Sequence, residues 1–313
     1  MQKNINSEIC PICRQKEEIL FIRDFICKDK KYSLNQCQGC KIQFWLPFTI
    51  ASQEFYEKVN PYQVRNLLNP EISRGYHKLF LKRHGFLKPG LKILDLGCGA
   101  GEFIFEAAMR GCEAWGVDFD RDAIEIAKNK FGLKDAYAMP FEDFFKKNLP
   151  LFDIICMFEV LEHLQYPQDF INKAKKFLKP GGKIVLSVPS RERMLKNLNG
   201  WDFPPHHFLR YNEESLLNLF SRENFFILYL SYVEKFKILS ESVSGPFKTG
   251  LVNSFLSGKG RQKQPLFFVK IIYLMGFVKN FIISFLPASF LFLISIIIQK
   301  KNGIIYAELS QKP

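Results

Sequence analysis

The stretch Leu91-Lys-Ile-Leu-Asp-Leu-Gly-Cys-Gly-Ala-Gly101 decides the fold. Leu91 to Leu96 reads as a strand that runs into a glycine loop, and helical sequence follows through Arg110. Glycines without Cβ let the backbone approach a ligand, and the first turn of the helix offers N–H groups that lack an intrahelical partner. A G-x-G-x-x-G spacing would point to a dinucleotide. Here the third glycine comes one residue earlier, giving G-x-G-x-G directly after Asp95. Ala114-Trp-Gly-Val-Asp118 reads as a second strand, and it ends on a carboxylate able to accept both hydroxyl hydrogens of a ribose. A tight turn or a helix-capping aspartate would explain either feature singly. Together, at this spacing, they point to a bound nucleoside cofactor.

Outward from that loop the pattern alternates. A helix is expected over Asp120 to Phe131, strands at Phe152–Met157 and Lys183–Val188, and a helix over Asp169–Leu178 between them. Such βαβ alternation predicts a doubly wound, Rossmann-like α/β fold, with a mainly parallel sheet and ligand at the carboxyl ends of its strands.

Asp95-Leu-Gly-Cys-Gly-Ala-Gly101, Gly116-Val-Asp118, Phe158-Glu-Val-Leu-Glu-His163 and Leu178-Lys-Pro-Gly-Gly182 resemble, in order, the motifs of class I S-adenosylmethionine-dependent methyltransferases. The resemblance covers roughly Phe80 to Tyr232, and the Glu159–His163 region is similar to that of ubiquinone-pathway O-methyltransferases. It implies a seven-stranded sheet whose sixth and seventh strands, Phe225–Lys235 and Gly303–Gln311, pair antiparallel. It also implies that Asp95, Gly97, Gly99 and Gly101 hold the methionine end of S-adenosyl-L-methionine. Asp118 would grip the ribose, Phe119 would lie against the adenine and Phe158 would line the floor. Many relatives carry an acid near the adenine amino group, before a Leu-Pro-Phe-like segment. This chain has Ala138-Met-Pro-Phe141-Glu142 there, so that contact would come from backbone or from Glu142.

Methyl transfer from a sulfonium asks the protein mainly for alignment and exclusion of water. A base is needed only for a hydroxyl or carbon nucleophile. Three histidines are candidates: His163 after the fourth strand, and His206 and His207 after the fifth. His207, ahead of Phe208, matches a histidine-plus-apolar pair of the resembled subgroup, whereas His163 is as readily a loop anchor or helix cap. His77 and His84, on a charged helix, read as surface residues. No Asn/Asp-Pro-Pro-Tyr/Phe segment follows the fourth strand, which disfavours methylation of exocyclic amines.

Five of eight cysteines fall in the first 40 residues. Cys10-Pro-Ile-Cys13 and Cys37-Gln-Gly-Cys40 form two C-x-x-C knuckles, the ligand set of a structural tetrahedral Zn2+. Reduced thiols on a β-hairpin, or a disulfide pair, are the plainer readings. Cys27 reads as a small buried side chain in the loop between the knuckles. The knuckles and the aromatic-proline stretch Phe44-Trp-Leu-Pro-Phe48, expected to dock the module on the next domain, resemble a bacterial methyltransferase subgroup with an N-terminal zinc-binding module.

The polar start MQKNINSEIC lacks the apolar core of a signal peptide, which favours a reducing, cytoplasmic setting. A net charge of +13 calls for an anionic partner: membrane surface, acidic substrate or nucleic acid. From Ser242 through Ala307 there is no acidic residue, and Phe281 to Ile298 is uncharged and broken only by Pro287. That insertion reads as an apolar helical hairpin resting on the inner face of a membrane, or as a lid or dimer interface. The expected domains are a zinc-binding module (1–50), a helical connection (51–79), the methyltransferase core (80–235), the basic apolar insertion (236–302) and the last core strand (303–313). The leading function is methylation of a hydroxyl, or a carbon, on a small-molecule or lipid-linked acceptor. The alternative is an RNA methyltransferase, disfavoured because the knuckles are not interleaved with basic and aromatic residues. A non-catalytic cofactor-binding scaffold is the third reading.

Overall fold

The computed structural model describes residues 4–27, 30–48, 74–85, 87–192, 203–233 and 303–312. The described elements belong to one compact unit. The expected insertion at 236–302, and residues 51–73 of the expected connection, lie outside the described residues.

The chain opens with four antiparallel strands: β1 (Asn4–Ile9), β2 (Lys16–Cys27), β3 (Lys30–Cys37) and β4 (Gln43–Leu46). Helix α1 (Gly75–Arg83) leads into the alternating core. Its elements are β5 (Lys92–Leu96), α2 (Glu102–Met109), β6 (Glu113–Asp118), α3 (Arg121–Phe131), β7 (Ala136–Ala138), α4 (Phe141–Phe144), β8 (Phe152–Phe158), α5 (Pro167–Lys175) and β9 (Leu178–Pro189). The two-residue strand β10 (Leu209–Arg210), α6 (Glu213–Arg222), β11 (Phe225–Val233) and β12 (Ile304–Gln311) complete it.

The core sheet has the order β11-β12-β9-β8-β5-β6-β7. β5 pairs parallel with both β6 and β8, whereas β12 runs antiparallel between β9 and β11. Ile93, Leu94, Ile155, Met157, Ile184 and Leu186 are fully buried, which is why these strands read as continuous apolar runs: helices cover both faces. The strand order reverses at β5, so a crevice opens beyond the carboxyl ends of β5 and β8. The Rossmann-like fold and mainly parallel sheet are as the sequence predicts.

Three local expectations need correction. The helix expected to reach Leu178 stops at Lys175, and Leu178 already pairs with Phe152 as the first residue of β9. Cys27 is half-buried at the end of β2, in a hairpin rather than an irregular loop. His77 is buried, because α1 turns Tyr76, His77 and Phe80 inward and leaves Lys78 and Lys82 to supply its charged appearance.

The second sheet has the order β1-β2-β3-β4-β10. Its last strand comes from the far side of the core sequence: Leu209 pairs with Phe44 and Arg210 with Gln43. Trp45, Phe203 and Phe208 pack into one buried cluster at that junction, so the aromatic-proline stretch does dock the first four strands onto the core.

Candidate functional site

The glycine loop turns because its glycines take up left-handed backbone: φ is +88° at Gly97, +54° at Gly99 and +84° at Gly101. Space is as restrictive as conformation. A Cβ on Gly97 would lie 2.6 Å from Val160, and one on Gly101 2.7 Å from Leu133. The first of these contacts shows that the loop after β5 lies directly against the loop after β8.

Asp118 ends β6 and ties the glycine loop down. Its Oδ2 accepts from the Gly99 N–H at 2.9 Å and its Oδ1 from the Asp120 N–H at 3.0 Å. A carboxylate oxygen can accept more than one hydrogen bond, the chemistry that gripping ribose hydroxyls needs. Asp95 is 2% exposed, and its Oδ1 has no hydrogen-bond partner among the described residues. Burial first, then the charges of Asp118 and Glu102, push the Asp95 carboxyl well above the usual carboxylate range. Asp118 and Glu102 thus set a negative field around the Asp95 carboxyl at a helix start. Such a field repels a pyrophosphate and favours a ligand carrying positive charge, as the sulfonium and ammonium of S-adenosyl-L-methionine do.

The other cofactor candidates lie along the same edge. Phe119 is half-buried beside Asp118. The Met139 N–H donates to the Asp118 carbonyl at 3.0 Å, which places the start of α4 next to the end of β6. There Phe141 packs edge-on against Phe170, and Glu142 is exposed. Phe158, at the end of β8, is enclosed by Tyr76 (stacked, 5.3 Å between centroids), His77 (5.0 Å) and Phe103 (5.0 Å). Sequence reasoning read His77 as a surface residue and passed over Tyr76, since the helix showed only a polar-looking surface.

Beyond β8 the chain makes one tight turn, Glu159 to Val160, and a single-turn helix, Leu161–His163. Glu159 adopts φ +58°, a conformation that costs a non-glycine residue about 1–2 kcal/mol. It is held there by Ser187 of β9, which accepts from its N–H at 2.9 Å and donates to its Oε1 at 3.1 Å. The structure brings His163 and His207 together, with ring centroids 4.8 Å apart and planes at 77°. His206 enters through its backbone: its carbonyl accepts from His163 Nδ1 at 2.8 Å. A carbonyl cannot donate, so the proton of neutral His163 sits on Nδ1 and its Nε2 is a bare acceptor. Burial first, and the neighbouring His207 second, push the His163 imidazole down to about 3. Glu162 is also buried here, and ligand atoms of Glu162, His163 and His207 all lie within 4.8 Å, close enough to hold a metal ion. Glu162 was missed as a site residue; the acid directly preceding His163 in Glu159-Val-Leu-Glu162-His163 was the available signal.

The four knuckle cysteines form a second such group. Cys10, Cys13, Cys37 and Cys40 are buried, free of disulfides and have all sulfurs within 4.8 Å of one another. Cys13 Sγ and Cys37 Sγ are 3.9 Å apart, against about 3.8 Å for the edge of a tetrahedron of Zn–S bonds. The two knuckles share one backbone plan. Cys10 N–H donates to Gln15 and Cys37 N–H to Ile42, while Arg14 and Lys41 donate back to the Cys10 and Cys37 carbonyls. Both Arg14 and Lys41 are left-handed, at φ +57° and +63°. N–H groups of Ile12 and Cys13 point at Cys10 Sγ and that of Cys40 at Cys37 Sγ, at 3.4–3.5 Å, as suits thiolates. Hydrogen bonds among the sulfurs hold Cys13 and Cys37 below the ordinary thiol range and Cys10 and Cys40 above it. Four sulfurs this close ionise together only around a cation.

The methyltransferase-domain family matches residues 64–230, more than half of the chain. The ubiquinone biosynthesis O-methyltransferase of Coxiella burnetii is 30% identical over 147 residues, 46% of this chain and 60% of that protein. The mitochondrial protein of the same name from Schizosaccharomyces pombe is 35% identical over 126 residues, 39% of this chain and 45% of that one. The chain thus spans about half the length of the curated relatives it matches. Among solved structures, the cyclase SpnF superposes with a TM-score of 0.53 at 18% identity, covering 83% of this chain and 95% of its own. A S-adenosylmethionine-dependent methyltransferase from Geobacter sulfurreducens, in complex with S-adenosyl-L-homocysteine, gives 0.50 at 14%, covering 81% and 99%. These two show the fold alone, since one fold hosts several chemistries. The relatives lend the RNA reading no support. With the family matched over the Gly97–Gly101 loop and the carboxylates around it, the chain belongs to the methyltransferase-domain family.

Proposed function

We propose that the enzyme methylates a hydroxyl, or a carbon, of a small-molecule or lipid-linked acceptor, with His207 as the proton acceptor. The observation that carries this reading is the His163–His207 pair beside the loop that packs on Gly97. His163 is too weakly basic to take a proton near neutral pH, and its Nδ1 is committed to the His206 carbonyl. Its role is to orient; His207 is left as the base. The relatives named as ubiquinone O-methyltransferases support a hydroxyl acceptor.

S-adenosyl-L-methionine, when bound, supplies an activated methyl group on a positively charged sulfur. Asp118 would take the ribose hydroxyls and Asp95, with Gly97, Gly99 and Gly101, the methionine end, while Phe119, Phe141 and Glu142 would flank the adenine. Phe158 and the aromatic rings around it would keep water out. Structural zinc on Cys10, Cys13, Cys37 and Cys40 belongs to the same reading, supported by the matched knuckles. So does placement at the inner face of an anionic membrane through 236–302, for which the support is charge and apolarity in the sequence.

The test is transfer of a labelled methyl group to metabolites of a cell extract. His207→Asn should reduce it by about 10²–10⁴-fold with cofactor affinity intact by calorimetry, and Asp118→Ala should weaken cofactor binding by about tenfold or more. A fully active His207→Asn enzyme removes the base assignment.

A further inference from the structure

The cysteine cluster and the histidine pair are joined by a short run of backbone. Ile42 is fully buried two residues after Cys40 and accepts from the Cys37 N–H at 3.2 Å, so the second knuckle ends where β4 begins. The outer edge of β4 pairs with β10, through Phe44–Leu209 and Gln43–Arg210. One residue upstream of β10, Phe208 is clamped from both sides. Its carbonyl accepts from the Trp45 N–H at 3.0 Å, and its own N–H donates to the Glu162 carbonyl at 3.1 Å. His207 is the residue directly before that clamp, and the His206 carbonyl holds His163.

Side chains repeat the connection. Cys10, Cys13, Cys37, Cys40 and Ile42 share one buried cluster with Leu209, Tyr211 and Leu216. Arg14, in the first knuckle, reaches Asp169 of α5 at 2.5 Å and lies over Tyr166. Arg191, just after β9, donates to the carbonyl of Lys41 in the second knuckle. The knuckles are therefore braced on the segments that flank the histidines, and among the described residues none of these polar contacts runs to the glycine loop.

We propose that the tetrathiolate centre is a positioning element for the acceptor side of the site. Ligated cysteines fix β4, β4 fixes Phe208, and Phe208 fixes His207 against His163. Cofactor binding, built on β5 and β6, shares only apolar packing with the knuckles, through Leu94, Leu96 and Val117, and none of the hydrogen bonds and ion pairs just described. The proposal rests on the zinc reading above, and its test separates the two.

Full-length protein is compared as isolated, after removal of its metal with a chelator, and as Cys40→Ser and Cys40→His, the latter keeping four ligands. Zinc content, hydrogen exchange by segment, the His207 ring resonances and binding of S-adenosyl-L-homocysteine are measured. The expected result is one zinc per chain as isolated. Its loss should speed exchange at least tenfold in 43–46 and 206–212, shift the His207 signals, and leave 92–96, 152–158 and ligand affinity unchanged within about twofold. Cys40→His should restore all of these. Protein isolated without zinc overturns the metal reading and the proposal with it. Zinc loss that leaves 206–212 as slow as before, or that loosens 92–96 and 152–158 equally, overturns the coupling alone.

Discussion

His163 carries the clearest consequence of a single side chain's surroundings. Its imidazole is held down to about 3, below the value near 6.5 of an unfolded histidine. Between these two values the unfolded chain binds the extra proton and the folded chain does not. The stability this group contributes is complete above about pH 6.5 and is lost as pH falls toward about 3, by up to roughly 1.4 kcal/mol per pH unit. His163→Asn keeps an N–H for the His206 carbonyl and cannot titrate. Its urea midpoint should therefore change less between about pH 7 and about pH 5 than that of the unaltered protein. Equal changes would show that another group sets the acid limb. The residues of this region were legible as a motif, Phe158 to His163, because they are contiguous. What each one does was not: the tautomer of His163 is set by a carbonyl 43 positions away.

At the scale of elements, α1 is fastened to the last strand by a buried acid. Glu308 of β12 is 2% exposed and takes Arg83 Nε at 2.5 Å, Arg83 Nη2 at 3.3 Å and the Tyr306 hydroxyl at 2.9 Å. His84 Nε2 lies 3.3 Å from the same carboxylate, and the Arg83 guanidinium sits 3.4 Å over the Tyr229 ring. Burial alone would raise the Glu308 pKa; the nearby His84 imidazole and hydrogen bonds from Arg83 and Tyr306 outweigh it and hold it at about 2. Glu308→Ala strands these donors and should destabilise the protein by about 3 kcal/mol, the low end for a broken buried pair because Arg83 is partly open to water. Guanidinium denaturation measures it, and a loss no larger than that of an exposed pair would contradict the assignment. Strands of the core were readable because parallel strands buried on both faces show as apolar runs. Three-residue β7 is too short to leave such a signal, and no periodicity links Arg83 to Glu308, 225 residues apart.

For the whole molecule, the two sheets are not independent. Ile12, Ile42 and Phe44 bury themselves in the same cluster as Leu209, Leu216 and Phe220. A chain shortened to begin after Phe48 would uncover that apolar surface and leave β10 without a partner. Such a truncation should lower the melting temperature well beyond the few degrees of a single core substitution, and should favour aggregation. Unchanged melting would mean that the first sheet is an appendage. The sequence announced the knuckles and the aromatic stretch; it could not announce β10, since two residues paired across the chain carry no pattern of their own.

A strand borrowed from so far downstream also sets a timetable for synthesis. The first four strands leave the ribosome about 160 codons ahead of Leu209 and Arg210, an interval of roughly 10–30 s at usual elongation rates. Throughout that interval the outer edge of Gln43–Leu46 faces water or a chaperone instead of its eventual neighbour. Newborn chains are most exposed to mispairing with one another in that window.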